Sequence, residues 1–72
     1  MTTTTIVSKT GQMNMGGYFR EKTAEVFRVD FPEIGEVGKY FRFRYLGDSA
    51  DQCFETMEEA MDVFSNAVKC II

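Results

Sequence analysis

The clearest pattern in the chain is a stripe of apolar residues near the C-terminus. Its members recur every three or four positions: Met57, Ala60, Met61, Phe64, Ala67, Val68 and Ile71. This spacing places them on one side of an amphipathic helix. Thr56 and Glu59 form a capping box at its start, and Glu58 and Lys69 complement the helix dipole at its two ends. The pattern predicts a helix over residues 57–70.

A second pattern, with a period of two, runs through the segment KYFRFRYLG at residues 39–47. One face would carry Phe41, Phe43 and Tyr45, and the other Tyr40, Arg42, Arg44 and Leu46. Alternation, aromatic enrichment and the closing Gly47-Asp48 pair predict a β-strand.

Residues 23–31, TAEVFRVDF, also alternate. Phe27, Val29 and Phe31 fall on one face, and Val26, Arg28 and Asp30 on the other. The Lys, Ala and Glu residues of this region would tolerate a helix, but the alternation favours a strand that ends at Pro32. PEIGEVG then reads as a hairpin loop. We expect Phe27, Val29 and Phe31 to join Phe41, Phe43 and Tyr45 beneath the helix.

The N-terminal third, residues 1–22, is the part whose structure the sequence predicts least. TTTTIVS is β-branched and typical of a strand, whereas Gly16-Gly17 fits either a tight hairpin turn or a mobile loop. A hairpin, a helix and a loop all remain open for residues 10–22. The whole chain, 1–72, is predicted to be a single α+β domain: a β-β-β-α meander of three antiparallel strands, or of four, with the helix on one face.

Composition supports a small folded domain that lacks the usual covalent or metal staples. The chain has 72 residues, 44% of them hydrophobic, with seven Phe, three Tyr, two Cys and no His. No stretch approaches the roughly 18 apolar residues of a membrane span. The N-terminus lacks the pattern of a signal peptide, and Cys70 stands third from the end, where prenylation needs the fourth position. We therefore expect no membrane and a reducing cytoplasm.

The candidate chemistry is sparse. Cys53 and Cys70 would lie roughly 20 Å apart along the predicted helix, too far for a disulfide, so two free and largely buried thiols are expected. The carboxylates of Glu58, Glu59 and Asp62 could hold a hard cation, but a solvated helix face is the simpler interpretation. Without histidine or a nucleophile-base pair, we expect no catalysis, no metal and no cofactor.

The charges are distributed unevenly along the chain. Residues 1–44 carry seven Lys/Arg against five Asp/Glu, a net +2, whereas residues 45–72 carry one Lys/Arg against six Asp/Glu, a net −5.

The candidate binding residues are Tyr40, Arg42, Arg44 and Arg28, which we expect on the sheet face opposite the helix together with Val26. The acidic residues Glu58, Glu59 and Asp62 form a second candidate surface.

Exposed aromatic rings beside arginines are suited to single-stranded nucleic acid, because bases stack on rings and guanidinium groups neutralise phosphate. KYFRFRYLG followed by CFETMEEAMDVF also resembles the arm-binding domains of phage-type integrases, in which a three-stranded sheet enters the major groove. The matching positions are Phe54, Thr56, Glu59 and Ala60, and the resemblance covers residues 39–64. It implies a nucleic-acid-binding module. The net charge of −3 departs from the basic character of such proteins.

A protein partner uses the same face differently, since Tyr and Arg are enriched at the energetic centres of protein interfaces. In size and charge, though in no motif, the chain resembles phage-encoded inhibitors of host factors, including anti-CRISPR proteins. The sequence thus favours a non-enzymatic module that docks on a protein partner and occludes its surface, with nucleic acid as the alternative. A homodimer, formed through strand edges or the sheet face opposite the helix, is a further hypothesis.

Overall fold

The computed structural model describes residues 1–48 and 51–72. Its elements follow one another as strand β1 (Thr2–Asn14), strand β2 (Phe19–Phe31), a single 3-10 turn (Pro32–Ile34), strand β3 (Glu36–Tyr45), strand β4 (Gln52–Phe54) and helix α1 (Met57–Val68). The strands form one antiparallel sheet in the order β1-β2-β3-β4, and α1 packs on one face of it. The predicted α+β meander with a C-terminal helix is confirmed.

Helix α1 begins where the capping box places it. The Oγ1 atom of Thr56 accepts a hydrogen bond of 3.3 Å from the backbone N–H of Glu59. The helix ends at Val68, two residues earlier than predicted. Beyond that point the chain extends towards β1, where Ile72 and Gln12 exchange two backbone hydrogen bonds of 2.8 and 2.9 Å. This contact buries Ile71 and explains the early end of the helix.

The hydrophobic core lies between α1 and the middle of the sheet. Its buried members are Ala24 and Val26 from β2, Phe43 from β3, Ala60 and Phe64 from α1, and Ile71. Ala24, Val26 and Ala60 have no exposed surface at all. Small side chains on β2 therefore let the helix approach the sheet closely, and the larger rings of Phe43 and Phe64 fill the remaining space.

The predicted orientation of β2 is wrong. Val26 lies opposite Phe43, and Phe27 lies opposite Arg42. Because paired residues in antiparallel strands share a face, Val26 belongs under the helix, whereas Phe27 and Val29 lie on the opposite face. Both faces of β2 carry apolar residues, so alternation alone could not show which face lies beneath the helix.

The N-terminal third forms a long hairpin. β1 and β2 are thirteen residues each, and Asn14 lies opposite Phe19. Gly16 and Gly17 turn the chain with φ values of +88° and +111°, a region that favours glycine. The Oδ1 atom of Asn14 accepts hydrogen bonds from both glycine N–H groups, at 3.0 and 3.1 Å. Of the structures left open for residues 10–22, the hairpin is the one observed.

Both cysteines are free, as predicted, but they are exposed rather than buried. Cys53 lies in β4, where it and Gln52 are exposed and only Phe54 is partly buried, and Cys70 follows the end of α1. Both positions in fact lie outside the apolar stripe.

Candidate functional site

The sheet face opposite α1 brings together three of the predicted site residues. Tyr40, Arg42 and Arg44 of β3 lie opposite Val29, Phe27 and Glu25 of β2, and Arg42 also lies opposite Cys53 of β4. We call this surface the open face; it comprises Glu25, Phe27, Val29, Tyr40, Arg42, Arg44 and Cys53. Tyr40 is 39% exposed, whereas Phe27 and Val29 are buried.

Arg28, the fourth predicted residue, is not part of the open face. It lies opposite Phe41, so its side chain leaves the sheet on the same face as α1. There its Nε atom donates a hydrogen bond of 2.9 Å to Oδ2 of Asp30. The prediction that Arg28 stands beside Arg42 and Arg44 is wrong for the same reason that the orientation of β2 is wrong.

Both arginines of the open face form intramolecular ion pairs. The Nη1 atom of Arg42 is 3.1 Å from Oδ2 of Asp51, and the Nε atom of Arg44 is 2.5 Å from Oε1 of Glu25. The two arginine side chains are only 40% and 39% exposed. Their charges are therefore largely compensated within the chain.

Arg44 also serves the packing of β2. Its Cζ atom lies 4.5 Å from the centroid of the Phe27 ring, a cation–π contact. Arg44 thereby covers Phe27 on the sheet face opposite α1, where Phe27 is only 5% exposed. Since Arg44 also pairs with Glu25, which is 8% exposed, it is a structural residue as much as a surface one.

A pocket of about 380 Å³ opens at the end of the open face that lies near the 3-10 turn. Its lining includes Val29, Phe31, Ile34, Tyr40, Arg42 and Cys53. Phe31 and Tyr40 pack edge to face, with ring centroids 5.7 Å apart. The pocket thus has an apolar lining with a phenol, a guanidinium and a thiol among its polar groups.

Tyr40 is held in place by Glu36. Its hydroxyl donates a hydrogen bond of 2.5 Å to Oε2 of Glu36. That hydrogen bond, followed by partial burial and the charge of Glu36, raises the pKa of Tyr40 above its ordinary value of 10.0. The hydrogen bond to Glu36 therefore holds the Tyr40 ring in one orientation beside the pocket.

Asp30 fixes the start of β3, and sequence reasoning missed it. The pairing of β2 with β3 shifts register between Val29 and Phe31, and the Oδ1 atom of Asp30 accepts a hydrogen bond of 2.9 Å from the N–H of Gly38. This bond lowers the pKa of Asp30; burial opposes the shift, and Arg28 adds to it. The only sequence signal for this contact was a charged residue next to a glycine-containing loop. Asp30 and Gly38 are eight positions apart, so the signal did not identify the two as partners.

The second candidate surface does not converge into a site. Glu58, Glu59 and Asp62 are all exposed on α1. Within residues 1–48 and 51–72, no three carboxylate, thiol or imidazole side chains come close enough to hold a metal ion. These three residues therefore give α1 a negatively charged solvent side.

The tip of the β1–β2 hairpin is an exposed apolar feature that sequence reasoning also missed. Met15, Tyr18 and Phe19 are 37%, 59% and 60% exposed. The molecule extends 47 Å along its longest axis. Two aromatic residues directly after Gly16-Gly17 were the available signal, because a turn leaves its neighbouring side chains without a core to enter.

No helix in the described part of the chain is long and apolar enough to cross a membrane. No protein-family model, curated protein or solved structure matches the chain.

Proposed function

We propose that this protein is a non-enzymatic binding module that docks on a protein partner through the open face and occludes the surface it covers. The observation that carries the proposal is the apolar pocket beside Tyr40 and Arg42. Docked partners are commonly anchored by one apolar side chain inserted into such a pocket, with Tyr and Arg at its border. A pocket of about 380 Å³ is large enough for a leucine or phenylalanine side chain.

The ion pairs on the open face support a protein partner over a nucleic acid. A phosphate backbone is held by basic groups that give up only counterions on binding. Arg42 and Arg44 would instead have to leave Asp51 and Glu25, and Glu25 is buried. The net charge of −3 opposes a polyanion further. A protein surface can use the same guanidinium groups with their carboxylates in place, as a preformed polar border.

The test is affinity capture from the native host with the tagged chain, with and without nuclease treatment. We expect a protein band that survives the nuclease. Tyr40→Ala should weaken its binding roughly 30-fold or more, the effect of losing an interface anchor. The matched control is Glu58→Gln combined with Asp62→Asn, which alters the acidic helix surface and should leave binding unchanged.

Two results would contradict the proposal. A band that disappears with nuclease would favour the nucleic-acid alternative. A band that survives Tyr40→Ala but is lost in the helix double variant would move the docking surface to α1. Arg44→Glu is unsuitable for this test, because it would place a carboxylate beside buried Glu25 and perturb the fold.

A further inference from the structure

The outer edge of β1 is a second interaction surface, separate from the open face. β1 has no buried side chain along its thirteen residues. It is joined to the sheet on one side only, through β2. In the described part of the chain, Ile72 is the sole residue whose backbone bonds to the other side of β1.

The hydrogen-bonding direction of each β1 residue follows from that contact. Gln12 turns its N–H and C=O outward to Ile72. Residues of a strand alternate in this respect, and a bulge at Ile6 shifts the alternation by one position, because Thr5 pairs with Phe27 and Val7 with Val26. The backbone groups of Thr3 and Thr5 therefore also point outward, into solvent.

The C-terminus shows that this edge accepts an added backbone. Ile72 forms both hydrogen bonds of a strand-like pair with Gln12, at 2.8 and 2.9 Å. The approach is close, since a Cβ atom on Gly11 would lie 2.4 Å from the carbonyl oxygen of Ile72. Only the Gln12 end of the edge is covered in this way, and the Thr2–Thr5 end is left open.

We propose that a second copy of the chain pairs with this open end, antiparallel, about a two-fold axis at Thr4. Thr3 of each copy would then exchange two backbone hydrogen bonds with Thr5 of the other. The two four-stranded sheets would join into one continuous sheet. Both copies would keep their open faces on the same side, free for a partner.

The chemistry of the segment selects a second copy over a foreign strand. Residues 2–8, TTTTIVS, contain no charge and no proline. Two copies therefore meet without like-charge repulsion, and the segment offers no charge by which another sequence would be recognised. Threonine pairs across antiparallel strands are themselves favourable.

The assembly stops at two copies. At the opposite edge of the sheet, β4 is only three residues long and pairs with Phe41–Phe43 of β3. On β1, the bulge at Ile6 and the charge of Lys9 end the regular part of the edge, as they do in natural sheets that avoid open-ended pairing. A two-fold pairing at Thr4 uses the open end of each β1 edge once, so a third copy cannot pair at the same place.

The test is sedimentation equilibrium of the purified chain over a roughly hundredfold concentration range, where dimers must increase with concentration by mass action. We expect the apparent mass to rise from one chain towards two. Thr3→Pro removes the outward N–H and should prevent this rise, because proline is tolerated where a strand faces solvent. Thr3→Val keeps the N–H and is the matched control, which should dimerise like the parent.

A second pair of variants decides the matter if Thr3→Pro disturbs folding. In the proposed dimer Thr4 faces Thr4 of the other copy, so Thr4→Lys and Thr4→Glu should each be monomeric and should dimerise when mixed. A parent chain that stays monomeric throughout the range would overturn the proposal. So would Thr4→Lys dimerising alone as tightly as the parent. Neither result bears on docking at the open face.

Discussion

β1 and β2 are equally long and pair with each other over almost their whole length, yet they are held by different forces. β2 is buried over most of residues 24–30, with Ala24 and Val26 beneath α1 and Phe27 and Val29 on the open face. β1 has no buried side chain. β2 is therefore fixed by side-chain packing on both faces, and β1 mainly by its backbone hydrogen bonds to β2.

The difference assigns the two strands different roles. A strand packed on both faces cannot change without disturbing the core, so β2 positions the open face and its pocket. A strand held by its backbone can vary in side chain at little cost, and its free edge can bond to other chains. Side-chain packing is thus concentrated in β2, which contributes Glu25, Phe27 and Val29 to the open face, whereas the proposed dimer contact lies on the outer edge of β1.

The largest effect we expect comes from the pair Val7 and Val26, which face each other across the two strands. Val26 has no exposed surface, whereas Val7 is only half buried. Val26→Ala should lower the free energy of unfolding by about 2–3 kcal/mol through lost burial and a cavity, and Val7→Ala by less than about 1 kcal/mol. Urea denaturation of both variants measures the contrast.

Equal costs for the two variants would contradict the proposed division between a packed strand and a backbone-held strand. The slope of the free energy against urea must also be unchanged, since a changed slope would indicate an altered unfolded state.

An intermediate effect is expected from the arginines that border β2. Arg44 pairs with buried Glu25 and covers Phe27, whereas Arg42 pairs with Asp51, whose side chain is 30% exposed. Arg44→Glu should lower the free energy of unfolding by about 1–3 kcal/mol, because it leaves a buried carboxylate beside a like charge. Arg42→Glu should cost less than about 1 kcal/mol, as expected for a surface pair.

Thermal unfolding of the two charge reversals in the same buffer provides the comparison. Equal shifts of the thermal midpoint for the two variants would contradict the distinction between a structural Arg44 and a surface Arg42.

The sequence predicted an element well where only one of its faces was apolar, and poorly where both faces were apolar. The stripe of α1 and the alternation of β3 had a single apolar phase, and both elements were found within a few residues of their predicted bounds. In β2 one face carries Val26 and the other carries Phe27 and Val29. The prediction wrongly placed the face with the larger side chains under the helix. Close packing of α1 favoured the smaller ones.

The candidate site was predictable only in part, for a related reason. Tyr40, Arg42 and Arg44 follow from the alternation of one strand, and all three lie on the open face. The pocket and the ion pairs join residues from separate elements, such as Arg44 with Glu25 nineteen positions away. Such contacts depend on strand register. The bulge at Ile6 and the shift after Val29 set that register, and the hydrophobic pattern reveals neither of them.

The smallest effect we expect is a dependence on pH that arises at the junction of β2 and β3. The N–H of Gly38, aided by Arg28, lowers the pKa of Asp30 below its ordinary value of 3.8. A carboxyl group whose pKa is lower in the folded state stabilises the fold fully above its unfolded pKa, and this stabilisation is lost as pH falls through the folded pKa. The parent chain should therefore lose stability as the pH drops below about 4.

The side chain at position 30 of the Asp30→Asn variant cannot be charged, so this variant should be less stable than the parent at neutral pH. The difference in thermal midpoint between the variant and the parent should narrow as the solution becomes acidic. Thermal midpoints measured from neutral to strongly acidic pH test this. Glu58→Gln on the exposed helix surface is the matched control and should follow the parent curve. A gap between Asp30→Asn and the parent that stays constant with pH would show that the carboxylate charge does not stabilise the junction. The position of Gly38 would then not require a charged side chain at Asp30.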